Sequence, residues 1–168
     1  MDAYEAVRTV LAVREFADRP LPEEVVRRIV EAAHLTASAR NRQPWHFLVV
    51  DDRETLRRLG ELAPTGPYIA QAPLAVVVMV EESPLAVSDA SRAIQSMALA
   101  AWSAGVGSNW VGFHGLDQVK APLGIPERLD VLAIVPFGYP ARPVGAGKKT
   151  RKPLAEVVSR NRYGHPFA

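Results

Sequence analysis

The chain has 168 residues, 48% of them hydrophobic and 23% charged, enough to bury one sizeable core and too few for two, so a single domain over 1–168 is expected. It has no cysteine, which excludes disulfides, thiolate nucleophiles, zinc ribbons and iron–sulfur ligation together. The net charge is only +2, and the cations are interspersed with acids, as in Glu23, Glu24, Arg27, Arg28 and Glu31, so no nucleic-acid partner is implied.

The spacing predicts a short amphipathic helix over 2–10. Pro22, followed by Glu23 and Glu24, opens a second helix over 22–35, with Val25, Ile29, Val30 and Ala33 at helical spacing. His46 to Val50 reads as a strand, after which Asp52 can cap a helix carrying Leu56, Leu59 and Leu62 on one face. Leu74 to Val80 is a continuous apolar run of strand length, of the kind found in a sheet covered on both sides. It is the expected central strand. Residues 88–104 are apolar nearly all the way round, with Ala90, Ala93, Ile94, Met97, Leu99, Ala101 and Trp102, so this helix needs cover on every side. A domain this small covers one face with its own sheet, and the other face is expected to meet a second subunit, which small side chains allow to approach closely. Burial wholly within one monomer is the alternative.

Gly105 and Gly107 end that helix, Asn109 to Phe113 reads as a short extended piece, and Leu129 to Phe137 as a further strand. Pro140, Pro143, Gly145 and Gly147 mark a loop, Pro153 starts a short helix over Leu154, Val157 and Val158, and the tail from Arg160 reads as irregular. Four strands mixed irregularly with helices argue for an α+β sandwich and against a regular βαβ array. No basic-then-apolar leader opens the chain, and no apolar run approaches the roughly 18 residues of a membrane span. A soluble cytoplasmic protein with no membrane partner is the expectation.

The familiar catalytic motifs are missing. His34, His46, His114 and His165 have no metal-ligand spacing, so no metal site is expected. There is no GxSxG elbow and no P-loop, and the Gly105-Val106-Gly107 run follows a helix where a dinucleotide fingerprint follows a strand. Two segments stand out instead. Ser38-Ala39-Arg40-Asn41-Arg42-Gln43-Pro44-Trp45 puts amides and a hydroxyl in a loop between helix and strand, where they can bond a ligand or satisfy their own backbone. Lys148, Lys149, Thr150, Arg151 and Lys152 put four cations and a hydroxyl after a glycine-rich loop. They could hold a dianionic phosphate, each charge-assisted bond being worth roughly 1.5–3 kcal/mol, or form a solvated basic turn.

Taken in order, these segments resemble the nitroreductase family of FMN-dependent oxidoreductases. The likeness runs through Arg14-Glu15-Phe16 with Arg19-Pro20-Leu21-Pro22, Ser38 to Trp45 with its Asn-x-Gln-Pro-Trp element, and Ala72-Pro73 before the valine strand. It continues in Gln95-Ser96-Met97 with Leu99-Ala100-Ala101, in Pro136-Phe137-Gly138-Tyr139-Pro140, and in Lys149-Thr150-Arg151-Lys152-Pro153. It implies an α+β sandwich with a central, mostly antiparallel sheet flanked by helices, assembled as a homodimer with FMN in the crease between chains.

The resemblance also implies roles. Arg14 would lie near the ribityl chain and the pyrimidine end of the flavin, Lys149 and Arg151 would hold the phosphate, and Ser38, Asn41 and Gln43 would bond the ring or ribityl chain. A main-chain N–H of Val111 or Gly112 would face flavin N5. The activity implied is ping-pong, two-electron reduction of a small-molecule acceptor, a nitroaromatic, a quinone or a related compound, with NADH or NADPH as donor and no catalytic side chain. Trp110, Phe113, His114 and Tyr68 are candidates to line the acceptor pocket. The chain departs from the pattern at Val10-Leu11-Ala12, where many relatives carry a polar Arg-Arg-Ser triplet, and Arg8 or Lys148 could compensate. That departure leaves a second expectation open, a weak-flavin or cofactor-free dimeric scaffold with the same fold.

Overall fold

The computed structural model describes residues 1–112, 115–145 and 149–167; Phe113, His114, Gly147 and Lys148, all singled out above, lie outside them. Helix α1 (Ala3–Thr9) is capped by the Asp2 carboxylate, which accepts the Glu5 N–H at 2.8 Å. Pro22 precedes α2 (Glu23–His34), whose buried residues are Ile29 and Ala33. Strand β1 (Trp45–Val50) leads through the Asp52 cap into α3 (Arg53–Leu62), with Leu56 and Leu59 buried as the spacing predicts. Then come β2 (Leu74–Glu81), α4 (Ala86–Ser103), β3 (Gly107–Ser108), β4 (Val111–Gly112), a one-turn α5 (Lys120–Leu123), β5 (Leu129–Gly138) and a one-turn α6 (Leu154–Val157).

The sheet runs β1-β2-β5-β3, with β4 also on β5, and every strand pair is antiparallel. Side chains on a strand alternate between faces, and the apolar run of β2 therefore feeds two cores. Leu74, Val76, Val78 and Val80 pack with Ile29, Ala33, Ala93, Ile94 and Met97 under α2 and α4. Ala75, Val77 and Met79 pack with Leu56, Leu59, Ile134 and Val119 on the opposite side. A central strand covered on both faces is what the uninterrupted valines predict. Among the described residues no helix is long and apolar enough to cross a membrane.

Three features differ from the sequence-based expectation. The single extended piece over 109–113 is instead two short strands, and both follow one continuous register along β5: Gly107 opposite Gly138, Ser108 opposite Phe137, Val111 opposite Ile134 and Gly112 opposite Ala133. The gap between them falls opposite Val135 and Pro136. Ser108 accepts the Val13 N–H at 2.9 Å, so its carbonyl faces away from β5; by alternation Gly107 and Asn109 face β5, and Asn109 there meets a proline with no N–H to give. The second difference is the turn at 117–123, where the nearly buried Lys120 ammonium lies 3.7 Å from each of Asp117, Glu127 and Asp130. The third is the tail, which is a small local hairpin where an irregular run is expected: Ser159 bridges Pro166, Arg160 donates its N–H to the His165 carbonyl, and the Arg160 guanidinium sits over the Phe167 ring.

Truncating Ile134, fully buried in the central strand, removes side-chain volume that its neighbours cannot refill. Ile134→Ala is expected to cost about 2–5 kcal/mol in chemical denaturation. At Asp52, the Thr55 hydroxyl and then the Thr55 N–H hold the carboxyl below its ordinary pKa. A depressed folded-state pKa gives stability that is present above the unfolded value and lost as pH falls through the folded one. Asp52→Ala is therefore expected to melt earlier than wild type at neutral pH, with the gap closing in acid; a gap that widens in acid contradicts the cap.

Candidate functional site

After α1 the chain runs beside β3 and then beside the segment following β5. Ala12 bridges Ser108, Phe16 bridges Pro140, the Ala17 N–H donates to the Tyr139 carbonyl and the Ala141 N–H to the Glu15 carbonyl. This zipper leaves the exposed Arg14 on a shallow cleft of about 250 Å³ shared with Glu15, Pro140, Arg142 and Val144. Glu15 pairs with Arg142 at 3.5 Å. Lys149 joins the same end of the molecule, its ammonium donating to the Val7 carbonyl at 2.7 Å. Arg151 is exposed and donates to the neighbouring Thr150 carbonyl. Arg14 and Lys149 thus flank the short segment between α1 and β3, while the contacts of Arg151 are local.

That segment contains Val10, Leu11 and Ala12, which form one wall of a cavity of about 210 Å³. Its other walls come from Ile94, Gln95 and Ala98 of α4, from Ser108, Asn109 and Trp110, and from Val135. The lapse in the ladder opposite Pro136 is what lets Asn109 and Trp110 leave the sheet and line this cavity. Asn109 also donates its side-chain amide to the Tyr68 hydroxyl, which ties the cavity wall to the turn before β2.

The same alternation separates the two candidates for a main-chain donor. Val111 lies two residues beyond Asn109 in unbroken register, so its peptide groups face Ile134. Those of Gly112 point away from β5. A side chain at 112 would collide, because a Cβ there would lie 2.6 Å from the Trp110 Nε1 and 2.7 Å from the Leu132 carbonyl oxygen. Only glycine therefore lets the Trp110 indole and the Leu132 carbonyl close on this backbone.

The amide-rich loop lies elsewhere. Ala39 to Asn41 form a single tight turn, and Arg40, Asn41 and Gln43 all have positive φ, at 53°, 55° and 50°. Three non-glycine residues in the left-handed region cost roughly 1–2 kcal/mol each, somewhat less for asparagine, so the loop must be held by its surroundings. Ser38 accepts the Gln43 N–H on its hydroxyl at 2.8 Å, and Gln43 donates its side-chain amide to the Asn41 carbonyl at 3.2 Å. Ser38 and Gln43 therefore bond within the loop, and Asn41 is exposed on it together with Arg40 and Arg42.

The two groups of expected ligands sit toward opposite ends of α4. The loop is bonded to Asp89 near the start of the helix through the Ala39 N–H. Trp102, near its end, donates its indole N–H to the Thr9 hydroxyl at 2.9 Å, beside Lys149 and the segment leading to Arg14. At 1.5 Å of rise per residue those two attachments are about 20 Å apart along the axis, more than a flavin ring spans. Asp89 itself escaped the sequence reading. The available signal was a lone acid on the apolar stripe of Ala86, Ala90, Ala93 and Met97.

Comparison with known proteins supplies the kinship. The chain matches the model of the nitroreductase family over residues 8–81 and 63–139. It is 36% identical over 154 residues to a protein of Methanothermobacter thermautotrophicus that bears the provisional name NADH dehydrogenase/NAD(P)H nitroreductase, covering 86% of this chain and 81% of the relative. It is 28% identical over 187 residues to the FMN reductase (NADPH) of Bacillus subtilis, covering 96% of this chain and 74% of that one. Among solved structures, a Bacteroides thetaiotaomicron protein with the same provisional name superimposes with a TM-score of 0.88 at 26% identity, over 96% of this chain and 98% of the other. The antiparallel sheet between helical layers, the register along β5 and these matches agree: the chain belongs to the nitroreductase family.

Proposed function

We propose that this protein is an FMN-dependent oxidoreductase that acts as a cytoplasmic homodimer, reducing a nitroaromatic, quinone or related small acceptor with NADH or NADPH. The observation that carries the reading is the cavity walled by Val10, Leu11, Ala12, Gln95 and Trp110, with the Gly112 backbone packed against the same Trp110 indole. Bound FMN would supply two-electron chemistry at ring nitrogen N5, taking hydride from the nicotinamide and then reducing the acceptor, in ping-pong order.

The protein's part is to bind and orient. The Gly112 N–H suits a donor to N5, since the alternation along β5 turns it away from that strand. Arg14 offsets negative charge at the pyrimidine end. Lys149 and Arg151 supply cations for the phosphate, Lys149 by exchanging its bond to the Val7 carbonyl for a stronger charge-assisted one. Asn41, on a loop shaped by Ser38 and Gln43, gives an amide to the ring or ribityl chain. Trp110 and Tyr68 border the space open to an acceptor.

Distance and exposure support the dimer. Because the Asn41 loop and the Arg14 end hang on opposite ends of α4, a second copy that brings its own loop across would let one flavin meet both. Ala98, Leu99 and Ala100 on α4 are only half-buried within one chain. Tyr4 and Val7 of α1, and Leu154, Val157 and Tyr163 of the tail, are exposed. Together they offer the second copy an apolar face.

One observation favours a second reading. The apolar Val10-Leu11-Ala12 wall gives a phosphate no side-chain donor, which suits a weak-flavin or cofactor-free scaffold. Absorbance after incubation with FMN separates the two: the enzyme retains a visible flavin band that NADH or NADPH bleaches without oxygen, and the scaffold retains none. Within the enzyme reading, Arg151→Ala is expected to weaken FMN retention about tenfold or more while leaving the dimer intact. Retention equal to wild type would remove Arg151 from the phosphate site.

A further inference from the structure

Among the described residues, three buried positions are polar or charged: Asp89, Ser108 and Lys120. Ser108 is part of the edge ladder and Lys120 is ringed by carboxylates, so both are explained by the fold. Asp89 is different. Only 1% exposed, it lies in the first turn of α4 on the stripe that otherwise carries alanine and methionine into the core. A small apolar residue would pack that position without the penalty of burying a charge.

What the carboxylate does there points off its own helix. Both oxygens accept the Ala39 N–H, at 3.2 and 3.1 Å, across fifty positions of sequence, and the Arg92 guanidinium one turn along binds it as well. The positive end of the α4 dipole also favours its charge. Arg40 and Arg42 face it across a cleft of about 190 Å³ that Ser83, Pro84 and Leu85 complete. The anchored amide is the last before the chain turns left-handed at Arg40 and Asn41. Gln43 is then tied back to Ser38, and Pro44 is buried. Among the described residues, the Asp89 carboxylate is thus the group that ties the start of this turn to the body of the protein.

We propose that Asp89 is a positioning residue for FMN: by clamping the Ala39 amide it holds the left-handed Arg40-Asn41 turn, and with it the Asn41 side chain, in the geometry that receives the flavin. This rests on the flavin reading above. Arg92 keeps the carboxylate aimed, and Asp89 does not touch the ligand.

The test uses the full-length protein with Asp89→Ala and the isosteric Asp89→Asn. FMN affinity is read from quenching of flavin fluorescence, and loop order from amide hydrogen exchange of the peptide spanning 38–44 without FMN. Asp89→Ala is expected to speed exchange in that peptide and weaken FMN binding, each about tenfold or more, with β2 and β5 exchanging as in wild type. Asp89→Asn keeps an oxygen for the Ala39 N–H and is expected to recover affinity to within about threefold. Wild-type affinity in Asp89→Ala, unchanged exchange over 38–44, or an Asn variant no better than Ala would each overturn the proposal. If Asp89→Ala does not fold, Asp89→Asn is compared with Arg92→Gln, and a large affinity loss in the Asn variant overturns it. A wild-type protein that takes up no FMN refutes the flavin reading and removes the proposed ligand, while the exchange comparison separately decides whether Asp89 holds the loop.

Discussion

The pairing of β2 with β5 is the constraint on which the other elements depend. Both strands are buried along nearly their whole length, and their antiparallel ladder presents one row of side chains to α2 and α4 and the other to α3 and the turns around 117–125. Neither strand tolerates a shift of one residue, because a slip would exchange the two cores. The ladder relaxes at one point, where the register against β2 jumps between Val78 and Met79 and Leu132 becomes the extra residue of a bulge. The carbonyl of that residue, together with the Trp110 indole, leaves no room for a side chain at Gly112.

With the sheet so determined, α4 works as a ruler. Its buried stripe seats it on β2 and β5, and its polar contacts then fix what lies at each end: Asp89 holds the 38–43 loop, Trp102 holds the end of α1, and Ser96 meets Thr36 halfway at 2.8 Å. None of the groups expected to touch a flavin stands on α4. Their spacing is nevertheless inherited from it, in the way that loops carry chemistry on a scaffold that does not.

Most of the regular structure was legible because periodicity and caps are local. Asp52, Pro22 and the valine run each announce an element by chemistry that acts within a few residues. The edge strand was misread because its interruption depends on Pro136, which is distant in sequence and adjacent only across the ladder. The lone acid Asp89 was in plain view, but nothing local says that its partner is a backbone amide fifty residues earlier. Which of Val111 and Gly112 turns its peptide toward β5 was likewise beyond sequence, since it depends on the register of the ladder. At Ser38 and Gln43 the structure shows the side chains bonded to the loop's own backbone, one of the two readings the sequence left open.

The proline on β5 has a consequence of its own. The outer edge of Ser108 is already covered by the segment after α1, so little of the rim from Gly107 to Gly112 is left as an open border. Deleting one hydrogen-bond donor from the neighbouring strand buckles that rim at its midpoint and swings an asparagine and a tryptophan out of line. The same missing proton thereby hollows out the recess beside its helix.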